Sequence, residues 1–120
     1  MSNARPERGD VVVVEIPYLD TTASVRRPAL VVSDSAQLLD TVVAGISSRI
    51  RDPLPGTHYV INRTHLDWVA SGLRLASAIR CDRLFTINDA DIQRKIGHLS
   101  DATMVDVGSR LKTALGLHDR

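Results

Sequence analysis

Arg27, Ser47 and the pair Arg80 and Asp82 are the residues whose types and spacing best suit chemistry on a phosphate. Arg27 stands just before Pro28, at what reads as a junction between a polar loop and a strand, where rigid backbone can aim a side chain. Its planar fork of donors fits phosphate oxygens and can neutralise charge that grows on them. Arginines also cap turns and pair with Asp, and the residue alone leaves both uses open. Ser47 ends an apolar run, so its hydroxyl could hold a phosphate oxygen, or serve as an ordinary satisfied strand-end group. Ser48 falls on the opposite face if that strand is regular. Arg80 and Asp82 are two apart, which puts both on one face of a strand. A carboxylate beside a guanidinium is a weak base, so the pair suits either proton transfer or a plain ion pair fixing the strand end.

The other groups that could do such chemistry are less well arranged. His58, His65, His98 and His118 show no spacing that suggests an acid–base pair. Trp68 could stack on a base, although a lone Trp more often anchors a core or a dimer. Cys81 is the one cysteine, so neither an intramolecular disulfide nor a CxxC zinc motif is possible. No metal or other cofactor is expected. Of the fifteen cations, thirteen are Arg and two are Lys, at a net charge of only +1. That excludes a generic polybasic binder; the Arg bias fits either phosphate contact or GC-rich codon usage.

These residues need a scaffold of 120 residues, one domain's worth, here 1–120. Aromatics make up only 3%, so Val, Leu, Ile and Ala must build the core. Residues 1 to 10 are polar, and no apolar run reaches the roughly 20 residues of a membrane helix. With the single cysteine, this points to a cytoplasmic chain with no membrane partner. The run Asp10 to Ile16 predicts a strand buried on both faces. A polar loop, Tyr18 to Arg27, leads to a strand at 28–32 and another at 41–50; 52–57 is a loop, and 58–61 a short strand. Ser71-Gly72 marks a turn, Leu73 to Cys81 alternates as a strand, and 84–87 gives a further short one. Asn88 predicts the cap of a short helix. Ser100 caps a longer one, with Met104, Val107, Leu111 and Leu115 on one face and Gly116 as its stop. Short strands closed by a helix predict a mainly β (α+β) fold, a compact bent sheet or small barrel.

Five blocks, in order, give the chain a family likeness. They are Arg8-Gly9-Asp10 before the Val run, Arg27-Pro28-Ala29-Leu30-Val31-Val32-Ser33, Ile46-Ser47-Ser48-Arg49, Arg80-Cys81-Asp82 with Leu84-Phe85-Thr86-Ile87, and Ile96-Gly97-His98-Leu99-Ser100-Asp101. Together they resemble the MazF/PemK toxins over about residues 8–117, each block weak alone and the ordered set specific. The resemblance implies a small SH3-like or CcdB-type barrel with a C-terminal α-helix, working as a homodimer. It implies a metal-independent, sequence-selective endoribonuclease of a type II toxin–antitoxin system, with single-stranded RNA as substrate and a cognate antitoxin as partner.

On that resemblance Arg27, Ser47, Arg80 and Asp82 are the expected catalytic residues, and Arg26, Ser48, Arg49 and Thr86 the expected RNA contacts. Attack by the 2′-hydroxyl on the neighbouring phosphorus would restrict cleavage to RNA. A family member has been assigned an Asp base and an Arg acid at the positions matching Asp82 and Arg80. The chain departs from the family in its first loop, where Asp20-Thr21-Thr22-Ala23-Ser24-Val25 lacks the Glu that many members carry. Ser47 stands where many have Thr, and both supply a hydroxyl. Two other functions fit the same barrel: a non-catalytic gyrase inhibitor of the CcdB type, and RNA binding without cleavage.

Overall fold

The computed structural model describes residues 5–17, 24–34 and 39–117. Part of the first loop and His118 therefore lie outside the described residues. The strands are β1 (Asp10–Pro17), β2 (Ser24–Val31), β3 (Thr41–Ser47), β4 (His58–Ile61), β5 (Ser77–Ile87) and β6 (Ile92–His98). A single helical turn, α1 (Trp68–Ser71), precedes β5, and α2 (Asp101–Leu115) closes the fold. The strands form one antiparallel sheet in the order β4-β5-β3-β2-β1-β6. The expected mainly β fold with a C-terminal helix is what the chain adopts, although β4 and β6 do not pair to close the barrel.

The Val run of β1 is buried on both faces, as its composition predicts. Val11 belongs to a first apolar cluster with Leu30, Ile46, Ile79, Leu99 and Val107. Its neighbours Val12 and Val14 join a second cluster with Ala29, Val31 and Val43. Ile61 of β4 and Ile96 of β6 both pack in the first cluster, so the two ends of the sheet curl towards each other. The first cluster lies on the first face of the sheet and the second cluster on the second face.

Helix α2 covers the first face. Ser100 caps it by accepting from the Thr103 N–H at 3.3 Å, and Gly116 ends it in the left-handed conformation. Met104 and Val107 are buried and Leu111 packs against them, but Leu115 is exposed, so the apolar stripe stops one turn early. Trp68 also packs against this cluster, which makes it a core residue, with Arg63 6.0 Å from its ring.

Strand β3 ends at Ser47 rather than at residue 50, and four further elements differ from the pattern read in the sequence. Strand β2 begins at Ser24, not Pro28, and the pairs with β3 stop at Ala29. Pro28 thus sits where β2 has only β1 beside it, and a missing N–H there breaks no β2–β3 bond. Residues 77–87 form one strand rather than two, and Leu73–Ala76 lie outside it. Asn88 leads into a single 3₁₀ turn without a side-chain cap. Strand β6 was hidden by its polar Gln93-Arg94-Lys95; as an edge strand paired with β1 alone, it tolerates that charge.

Candidate active site

The second face of the sheet gathers three of the four expected catalytic side chains. Ala29 of β2 pairs with Gly45 of β3, and Gly45 pairs with Arg80 of β5. Two residues along each strand, alternation places Arg27 and Ser47 on the same face as Ala29, Gly45 and Arg80. Arg27 is exposed and Ser47 half-buried at the rim of the sheet. Arg27 is therefore a strand residue rather than a junction residue, held by its pairing with Val14. The Ser47 oxygen accepts from the Arg49 N–H at 3.1 Å, which turns the chain out of β3 and leaves the hydroxyl hydrogen available to donate.

Asp82 stays beside Arg80 across an irregularity in β5. Ala44 pairs with Leu84 and Gly45 with Arg80, so Cys81, Asp82 and Arg83 make a bulge with no partner in β3. Cys81 turns into the first cluster, and burial pushes its thiol pKa up to about 11. The bulge breaks the alternation. Asp82 reaches back to Arg80, and the Arg83 side chain lies 3.6 Å from where a Cβ on Gly45 would stand. Arg83 is thus a further cation over the Ser47 row. Regular alternation would have sent it to the opposite face from Asp82, which is why the sequence does not reveal it.

The Arg80–Asp82 pair is forked, with Nε 3.3 Å from Oδ1 and Nη2 3.1 Å from Oδ2. The Arg80 hydrogen bonds, against a smaller opposing effect of burial, hold the Asp82 carboxyl below its ordinary pKa. His58 Nε2 lies 3.1 Å from Asp82 Oδ1, yet neither ring nitrogen of this buried histidine makes an aligned hydrogen bond. The short distance is therefore proximity without a well-directed bond. An ionised, doubly anchored carboxylate is a poor proton acceptor and a good tether for Arg80.

The histidines are otherwise committed. His65 bonds the Tyr59 hydroxyl at 2.8 Å and accepts from the Asp67 N–H at 2.9 Å, while His98 bonds Asp10 at 2.7 Å. No two of the described histidines form a pair across the site. Among the described residues, no group of three or more His, Cys, Asp or Glu is placed to hold a metal ion. None of the described helices is long and apolar enough to cross a membrane.

The expected RNA contacts divide. Arg26 and Ser48 line a cleft of about 900 Å³ that Arg27 also borders. Arg49 is exposed just beyond β3. Thr86 pairs with Val42 at the far end of the β3–β5 ladder from Ser47, so it is not brought to the others. The same cleft draws in Arg74, Gln93, Arg94 and Lys95, which sequence reasoning missed because β6 went unrecognised. The tandem Arg94-Lys95 was the available signal.

The fold has close counterparts among solved structures. One is an endoribonuclease solved in complex with its cognate antitoxin from a mycobacterial species, at TM-score 0.74 and 23% identity, covering 96% of this chain and 99% of that one. Another is the Mycobacterium tuberculosis toxin MazF-mt6, at TM-score 0.71 and 23% identity, with 92% and 99% coverage. A third is the MazF of a MazE–MazF structure from Deinococcus radiodurans, at TM-score 0.72 and 18% identity, with 96% and 100% coverage. At these identities the likeness is one of fold. Among curated proteins no sequence matches the chain. Family membership comes from the sequence itself: residues 7–115, which carry all six strands and α2, match the family described as PemK-like, MazF-like toxin of type II toxin–antitoxin system, and the chain belongs to that family.

Proposed function

We propose that this chain is a metal-independent endoribonuclease that cuts single-stranded RNA at preferred short sequences. The observation that carries the reading is the placement of Arg27, Ser47 and Arg80 on one face of the sheet, in a chain of this toxin family. The 2′-hydroxyl gives up its proton to water as its oxygen attacks the adjacent phosphorus, the P–O5′ bond breaks, and O5′ takes up a proton, leaving a 2′,3′-cyclic phosphate and a 5′-hydroxyl. Arg27 stabilises charge on the phosphate oxygens, and Ser47 donates to one of them. Arg80, steered by Asp82, serves as a second cation or as the proton donor to the leaving oxygen. Arg26, Ser48 and Arg49 contact flanking nucleotides, and Thr86 is left without a role at this face. A homodimer in the cytoplasm, neutralised by a cognate antitoxin, completes the proposal. The solved relative with its antitoxin supports the last point.

The test is incubation of the purified protein with labelled RNA in excess EDTA. Discrete cleavage is expected, with Arg27→Ala reducing the rate on the order of 10² to 10³-fold while remaining folded. A folded Arg27→Ala protein with near-normal rate would sink the assignment. Growth arrest on expression without any RNA cleavage would instead favour gyrase inhibition.

A further inference from the structure

We propose that the cleft beside Arg27 is a nucleotide subsite, in which Gln93 reads an unpaired base next to the cut bond and Arg74 and Arg94 hold its phosphates. This rests on the RNA-cleaving reading above and adds the residues that select the sequence.

The cleft's size falls within the range of about 300 to 1,000 Å³ typical of small-ligand pockets, at about 900 Å³. Its floor is aliphatic, with Val13, Pro28, Ile46, Leu73 and Ile96. Its rim is basic, with Arg26, Arg27, Arg74, Arg94 and Lys95, and among the described residues no carboxylate lines it. Three of these cations are engaged: Arg26 lies 3.7 Å from Glu15, Lys95 lies 3.2 Å from Asp10, and Arg27 also has a partner. Arg74 and Arg94 are exposed and make no ion pair among the described residues. An apolar floor under uncompensated guanidinium groups fits a base with its phosphates.

Continuity with the candidate active site narrows the occupant further. Arg27 and Ser48 border the cleft, and Ser47 adjoins Ser48 on the other face. A strand of RNA with its scissile phosphate at Arg27 and Ser47 can pass a neighbouring nucleotide round the end of the sheet, by Ser48, into this cleft. Among the described residues no aromatic ring lines the cleft, so the reading of a base there falls to hydrogen bonds. Among the described lining residues, Gln93 alone carries both an amide donor and an acceptor, the combination that reads a base edge.

The walls pack closely on each other. Gly72 leaves α1 at φ 72°, and a Cβ there would stand 2.0 Å from the Ile96 carbonyl oxygen. A Cβ on Gly97 would stand 2.3 Å from the Ala70 oxygen. Two glycines thus let the exit of α1 press directly on β6, so Leu73, Arg74 and Leu75 are fixed opposite Gln93 and Arg94.

Two measurements test the subsite, and all three substitutions are at exposed positions. The first is binding of a 2′-O-methyl RNA pool, which cannot be cut, to wild type and to Arg74→Ala/Arg94→Ala at several salt concentrations. The double variant should bind at least tenfold more weakly. Its slope of log affinity against log salt should be shallower by about 1.4, some 0.7 for each phosphate no longer held. The second is sequencing of the ends cut from a random RNA pool by Gln93→Ala. The base preference should relax at one position and persist at the others. Unchanged affinity and slope, or an unchanged cut-site profile in an active Gln93→Ala protein, overturns the subsite. If wild type binds but does not cut, and the double variant loses binding, the cleavage reading fails while the subsite stands on its phosphate contacts.

Discussion

Removal of the Asp67 carboxylate offers a quantitative test of how the helices hold the site. Asp67 precedes α1 but makes no side-chain cap for it. Its Oδ2 instead accepts from both the N–H and the hydroxyl of Ser100, each at 2.9 Å, at the start of α2. Only 4% of Asp67 is exposed. Burial alone would raise its pKa, but hydrogen bonds from Thr103 and Ser100 bring it below the ordinary value. Each bond to a charged acceptor contributes about 1.5 to 3 kcal/mol, and Ser100 is half-buried, so the lower end applies. Loss of the negative charge at the α2 N-terminus adds about 0.5 kcal/mol. Asp67→Ala should therefore destabilise the fold by about 3.5 kcal/mol, a fall in melting temperature of roughly 14 °C. Asp67→Asn keeps an acceptor oxygen and should cost about 1 kcal/mol, mostly the lost charge. Urea unfolding of both variants checks the numbers. An Asp67→Ala protein within about 0.5 kcal/mol of wild type, or equal losses in the two variants, would refute the reasoning.

Three further outcomes are expected. Asp82→Asn should slow RNA cleavage by about tenfold through a loosened Arg80, and leave the acidic limb of the pH–rate profile in place; loss of a general base would instead cost on the order of 10² to 10⁴ and remove that limb. Asp10, Asp67, Asp82 and Asp89 all have lowered carboxyl pKa values in the fold. Their contribution to stability is complete above the unfolded value of about 3.9 and disappears as pH falls through the folded values. Urea midpoints should thus be flat above about pH 5 and drop below about pH 4, less steeply in Asp10→Asn. At about pH 8 the Cys81 thiol, with its pKa at about 11 instead of 9.0, should be labelled by a thiol reagent about 100-fold more slowly than in urea. Comparable rates would show that the strand opens readily.

Much of the scaffold was legible because its signals are local. The Val run of β1, the β4 segment at 58–61 and the Ser100 and Gly116 caps of α2 all depend on residues next to them in the chain. The rest depends on partners far away. Polar β6 becomes a strand because β1 lies beside it, and Pro28 is accommodated because β3 ends its pairing at Ala29. Arg27, Ser47 and Arg80 were legible as candidate residues. Their common face required the β2–β3–β5 register, which alternation within one strand does not supply. Arg83 and the basic cleft rim were not legible, since a bulge places the first and an unrecognised strand supplies half of the second.

The bulge in β5 also bears on how such a site can be altered by evolution or by design. The β3–β5 ladder is held independently on its two sides, at Gly45–Ser47 and at Thr41–Ala44. Between them, Asp82 and Arg83 answer to no β3 partner, and the buried Cys81 anchors the start of the stretch. A changed side chain or an added residue at 82–83 is absorbed locally, with both flanking registers intact, whereas a slip elsewhere in the strand would turn every later side chain to the wrong face. The charges nearest Arg80 can therefore be rewritten without renegotiating the sheet. A library confined to positions 82 and 83 is the economical place to look for altered activity in a folded protein.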